Sequence, residues 1–248
     1  MTKRRLIVGA AVLLIGCSEA PTDPLSTPDV PEPSADYNVP DDGSRVYEVT
    51  IYNLTDGQPM TPPLMGTHKR GLRAFRPGAR ASEGVKEIAE NGNLAPLQMA
   101  WESNPKVNEV VVGPGAVLPG ASLSFTIEGD RRANRVSWVS MLICSNDGFT
   151  GLRGLRLPRK VGDYRLRYVR GYDAGTEKNT ESFSDIVPPC PVLTGIDTDE
   201  MGTGMSNPDL KEGGKVRRHR GIKGRDDLIP DLHGWKGPVA KVVIKRIS

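Results

Sequence analysis

Apolar and polar positions alternate along much of the chain at the two-residue period of a strand with one buried face. Residues 45–54 set Tyr47, Val49 and Ile51 on one side, and residues 122–128 do the same with Leu123, Phe125 and Ile127. Residues 163–172 place Tyr164, Leu166, Tyr168 and Arg170 opposite Arg165, Arg167 and Val169. Residues 239–247 alternate again, with Lys241 and Lys245 on the face of Val243. Residues 107–112 and 135–143 are more evenly apolar, the pattern of strands buried on both faces. A helical period occurs in one region. Ser82 is placed to cap a helix whose apolar stripe is Val85, Ile88 and Ala89, with Glu83 and Glu87 early and Gly92 at its end. A second short helix is predicted over residues 95–102. Gly and Pro punctuate the rest. The expected architecture is mainly β, an antiparallel β-sandwich with a short helical insertion and long loops. Residues 190–237 hold more irregular chain than a compact sandwich usually carries, which reads as functional loops or as chain ordered by a further component.

The N-terminus carries a different pattern. Lys3, Arg4 and Arg5 precede an uncharged apolar run from Leu6 to Ile15, then Gly16 and Cys17. As a helix that run spans about 15 Å, roughly half a bilayer core, so it reads as an export signal and not as a membrane anchor. Leu14-Ile15-Gly16-Cys17 resembles the bacterial lipobox, in which cleavage precedes a cysteine that becomes lipidated. The resemblance implies a lipoprotein signal peptide over residues 1–16 and a membrane anchor at Cys17. Ser18 after the cysteine resembles outer-membrane sorting. Residues 17–44 are proline-rich and hold seven acidic residues with no Lys or Arg, so they read as an extended tether. Residues 45–248 are the expected folded domain.

Charge and cysteines narrow the function classes. The whole chain has 33 basic and 30 acidic residues. Without residues 1–16 the formal charge is zero, and the portion after Ser44 stands at +7 (30 basic against 23 acidic). That favours anionic neighbours modestly and is not the footprint of a nucleic-acid binder. After Cys17, only Cys144 and Cys190 remain. An even pair in an oxidising compartment reads as one disulfide, against the alternative of two buried thiols.

Two segments concentrate candidate chemistry. Ser145-Asn146-Asp147-Gly148-Phe149-Thr150-Gly151 and Asp173-Ala174-Gly175-Thr176-Glu177 each leave a predicted strand for a glycine-containing loop with carboxylates. Gly175 lets the backbone curl between Asp173 and Glu177, and Asp147 comes from another strand end. Carboxylates from separate loops at one end of a sandwich suit a hard divalent cation such as Ca²⁺, although Asp before Gly is also a common turn cap.

These two segments, with Tyr47-Glu48-Val49-Thr50-Ile51-Tyr52-Asn53-Leu54-Thr55 and Ala81-Ser82-Glu83-Gly84, resemble the spondin N-terminal domain over about residues 45–247. The resemblance implies a C2-like β-sandwich with a Ca²⁺ site at one end, its ligands Asp147, Asp173 and Glu177. Glu177 stands where the family usually has Asp. Gly148 stands where it usually has an aromatic, which is expected to loosen the loop beside Asp147.

Other chemistry is set aside. His68, His219 and His233 lie far apart and read as loop histidines bonded to backbone. Ser140, Ser145 and Ser182 lack a nucleophile-elbow context, and no phosphate-binding glycine motif occurs. The basic run from Lys215 to Arg225 reads as a solvated loop balanced by Asp226 and Asp227, with anionic glycans or lipid head groups as the alternative. The expectation is therefore a non-enzymatic, lipid-tethered adhesion or binding module ordered by Ca²⁺, with an extracellular glycan or protein as partner. The rivals are a structural envelope protein with a stabilising Ca²⁺ and a metal-dependent hydrolase using Asp147 and Asp173.

Overall fold

The computed structural model describes residues 43–248. The expected signal peptide, the lipidated Cys17 and all but the end of the tether lie outside the described residues. In chain order the elements begin with β1 (Arg45–Asn53), β2 (Leu64–His68), α1 (Glu83–Asn91), α2 (Ala95–Glu102), β3 (Val107–Val112), β4 (Ser122–Gly129) and β5 (Arg135–Met141). They continue with β6 (Gly148–Arg156), β7 (Tyr164–Val169), β8 (Gly171–Asp173), α3 (Pro189–Thr194), β9 (Arg217–Arg218), α4 (Pro230–His233) and β10 (Ala240–Arg246). The strands form two antiparallel sheets, ordered β4-β1-β10-β7 and β3-β2-β5-β6-β8-β9. No helix among the described residues is long and apolar enough to cross a membrane.

β1 and β10 bury one face against the second sheet, whereas β7, expected to do the same, is an edge strand with only Val169 buried. Val49 is in register with Ile244 and Ile51 with Val242, and all four are buried. They share a core with Tyr47 and with Met65, Val136, Trp138 and Leu152 from the second sheet. Each such side chain gains about 1.5–3 kcal/mol on leaving water. The second sheet is covered on its other face as well. There Leu64, Val139, Met141 and Phe149 pack with Val85, Ile88 and Ala89 of α1, Trp101 of α2, and Phe183, Ile186, Val216 and Leu228. The molecule is thus a sandwich with a third layer of helices and loops. The long irregular segment contributes Cys190, Val216, Ile222 and Leu228 to that layer.

The ends of α1 follow the sequence closely. The Ser82 hydroxyl accepts the Val85 N–H at 3.4 Å, and Gly92, left-handed at φ 67°, closes the helix with its N–H on the Ile88 carbonyl. Three expected strands are corrected. Residues 107–112, expected to be buried on both faces, form the edge strand β3 with no fully buried residue. Residues 163–172 break at Arg170, so that β7 pairs with β10 in the first sheet and β8 pairs with β6 in the second. The chain changes sheets there because Thr150 donates to the Arg170 carbonyl at 3.0 Å and Trp235 closes over Gly171. A Cβ on Gly171 would sit 3.0 Å from that indole. The strand predicted over 135–143 stops at Met141, and residues 142–147 turn the chain into β6. Cys144 and Cys190 form a disulfide, Cα to Cα 5.0 Å, that ties this turn to α3.

Candidate metal centre

Asp147 ends the turn before β6, and Asp173 ends β8 in the paired strand, where Asp173 is in register with Gly148. The Asp147 carbonyl accepts the Ala174 N–H at 3.0 Å, so the two acidic segments are stitched together by backbone. The following turn needs glycine. Gly175 has φ 72°, and a Cβ there would fall 2.6 Å from the Lys215 nitrogen. This tight passage folds residues 176 and 177 over the Asp147 side chain. Its Oδ2 accepts the N–H of Thr176 at 2.8 Å and of Glu177 at 3.2 Å. Its Oδ1 is buried with no hydrogen-bond partner. Burial first, and the Asp173 charge second, push the Asp147 carboxyl up to about 7 despite those two amides.

Asp173 is held differently. Its Oδ1 accepts the Gly175 N–H at 2.8 Å, while Oδ2 accepts Asn179 Nδ2 at 3.1 Å and Arg217 Nε at 3.2 Å. Burial raises its pKa, with Arg217 acting against that rise. Glu177 gives its backbone to Asp147 but turns its carboxylate elsewhere, to the Asn207 N–H at 2.9 Å. Burial first, offset by that bond, and then the charges of Glu90, Asp147 and Asp185 leave it at about 7. Glu177 and Glu90 line a cavity of about 370 Å³ with Arg80, Lys86 and Lys211.

The fold therefore brings Asp147 and Asp173 to one sheet end and aims Glu177 toward a neighbouring cavity. Among the described residues, the one trio of His, Cys, Asp or Glu whose ligand atoms all lie within 4.8 Å is Cys144, Cys190 and His233. Its two sulfurs are spent in the disulfide, so it offers no thiolate. The acidic trio does not meet that spacing. A cation nevertheless fits the donor chemistry at Asp147, where a buried oxygen lacks any donor and a carboxylate is held short of full ionisation. Asp173 fits with one exchange, since Arg217 already serves as its cation at 3.1 Å. Glu177 needs a side-chain rotation to join them.

Gly148 corrects an expectation. The position is tight: the Gly148 N–H donates to Ser145 Oγ at 3.0 Å, and a Cβ would lie 2.2 Å from that oxygen. Sequence reasoning also missed Arg217, Asn179 and Glu181. Glu181 is buried and accepts the N–H groups of Lys223 and Arg225, each at 2.8 Å, which pins the basic run. These partners lie 42 and 44 residues apart, and no local pattern announces them. The histidines are bonded to backbone as expected, at Lys69, Gly221 and Ile229, but all three are buried and only His219 lies in a loop, because His68 ends β2 and His233 ends α4.

Two antiparallel sheets packed as a sandwich, with an acidic turn cluster at one end, define the class as a β-sandwich. The Spondin_N family model matches residues 58–192, more than half of the chain, and the chain belongs to that family. The match includes Asp147, Asp173, Glu177 and both disulfide cysteines, while β1, β9 and β10 fall outside it. No curated protein matches the chain.

Proposed function

We propose that this chain is a non-catalytic binding module of the cell envelope, exported, lipid-anchored at Cys17 and ordered by Ca²⁺ at Asp147 and Asp173. The observation that carries the metal reading is the Asp147 Oδ1, a buried acceptor without a donor beside a second carboxylate. Bound there, Ca²⁺ would neutralise charge that the burial of these carboxylates otherwise opposes. Asp147 and Asp173 would hold the ion, with Glu177 recruited from the adjoining cavity. That cavity supports binding over a purely stabilising ion, because it places a concave surface next to the acidic cluster. The exposed Tyr164 and Tyr168 on one face of edge strand β7 offer a platform for a glycan or protein partner.

Thermal melting of residues 45–248 with Ca²⁺ and with chelator tests the metal. Saturating Ca²⁺ at about a hundredfold over Kd should raise the midpoint by about 5–10 °C, and Asp147→Asn or Asp173→Asn should remove the rise. An unchanged midpoint in the unaltered protein would sink the reading.

One observation favours a second reading. Glu177, with its carboxyl near 7 in a cavity, has what a general acid or base needs. Against it, Spondin_N is not a known enzyme family. Turnover of ester or glycoside substrates that vanishes in Glu177→Gln would decide for the hydrolase.

A further inference from the structure

A second cavity, of about 450 Å³, lies on the other side of Asp173, and the basic run folds around it. Its floor is set by His219, which follows β9 and donates its backbone N–H to the Gly171 carbonyl at 3.1 Å. The His219 ring lies 5.1 Å from that of Trp235. His219 Nδ1 accepts the Gly221 N–H at 3.0 Å, so the neutral ring carries its proton on Nε2. Burial, with Arg217 and Lys223 nearby, pushes the imidazole down to about 4, and the ring is neutral at ordinary pH. That Nε2 is buried and has no acceptor among the described residues. A buried donor left without an acceptor is costly and rare in folded proteins.

The charges around it are sorted in a way that leaves cations over. Asp173 and Glu212 are both engaged by Arg217, at 3.1 and 2.7 Å. Glu181, the remaining acid of the lining, is consumed by the backbone N–H groups of Lys223 and Arg225. Glu181 holds φ 66°, a left-handed conformation for a residue with a side chain, so the loop is fixed at some local strain. Lys178, Arg220 and Lys223 line the cavity without an acidic partner among the described residues. Lys178 and Glu181 lie within the family-matched residues, whereas His219, Arg220 and Lys223 lie beyond them.

We propose that this cavity is an oxyanion site, which takes a sulfate or phosphate group on the Lys178, Arg220 and Lys223 cations and, once the side chains that close over it part, on His219 Nε2–H. The neutral donor supplies a directed hydrogen bond, and the cations supply charge-assisted ones. The cavity shares Asp173 and its partner Arg217 with the proposed calcium site, so the binding experiment is run both in chelator and in Ca²⁺. Sulfate and phosphate esters on sugars share this chemistry with the free ions, and the choice of probes separates them.

Full-length chain in detergent solution should be titrated calorimetrically at constant ionic strength with sodium sulfate, sodium phosphate, glucose 6-sulfate and glucose 6-phosphate, against sodium chloride. Saturable binding of at least one oxyanion is expected, accompanied by a downfield shift of the His219 Nε2 proton in nitrogen-15 spectra. Tighter binding of the esters identifies a sugar-borne group, and equal binding identifies the free ion. Arg220→Ala with Lys223→Ala, both exposed, should weaken binding about tenfold or more without changing the melting midpoint. His219→Phe should abolish the response. Binding no stronger than that of chloride, or binding indifferent to the Arg220→Ala and Lys223→Ala pair, would overturn the proposal.

Discussion

Asp147 and His219 sit near the same sheet end and oppose each other in their response to pH. The Asp147 carboxyl is raised from 3.8 to about 7 on folding. The folded state therefore binds the extra proton between those values, and the stabilising contribution is present at low pH and lost as pH rises through about 7. His219 is lowered from 6.5 to about 4, so its contribution is present above 6.5 and lost as pH falls toward 4. In chelator, Asp147→Asn should raise the melting midpoint at pH 8, and that gain should shrink by pH 5. His219→Phe should flatten the acid side of the unaltered protein's profile. A midpoint that rises from pH 6 to 8 in chelator would contradict the Asp147 assignment. Glycines at this end admit a sharper test. Gly148→Ala drives a methyl into Ser145 Oγ and should cost about 1–3 kcal/mol in denaturant unfolding, with partial recovery on adding Ser145→Gly.

At the scale of elements, the disulfide and the third layer belong together. Cys144 and Cys190 are 46 residues apart and join the turn after β5 to α3, which helps hold the loop layer on the second sheet. In the chain-entropy account, replacing both cysteines by alanine should cost roughly 4 kcal/mol, read from denaturant midpoints under oxidising conditions. Those cysteines, β1, β4, β10 and α1 were legible in the sequence because alternation, a capping serine and an even cysteine count are local signals. β2 and β6 were not. Both carry glycine where a neighbour comes too close for a side chain: Gly66 beneath Trp101, and Gly151 against the Trp138 carbonyl, 2.0 Å from where its Cβ would be. Glycine argues against a strand when read alone and for close packing when its neighbour is known. The same holds for the candidate site. Asp147 and Asp173 were legible from their turns, whereas Arg217 and Glu181 act across long stretches of chain and become visible only through the folded loop layer.

On the scale of the molecule, the family-matched residues do not amount to the folding unit. β1 and β10 lie outside residues 58–192, yet β1 pairs with both β4 and β10, and β10 with β7. A fragment of residues 58–192 would leave the Ile127, Val136 and Trp138 side of the core without Tyr47, Val49, Ile51, Val242 and Ile244. That fragment should show no cooperative unfolding transition, whereas residues 43–248 should show one; calorimetry of both decides. The central place of β1 has a mechanical consequence. A pull on Arg45 along the axis of β1, resisted at the neighbouring strands, loads its hydrogen bonds to β4 and β10 in shear. Bonds strained side by side yield together and not in succession, so the domain resists tension best along the axis of β1.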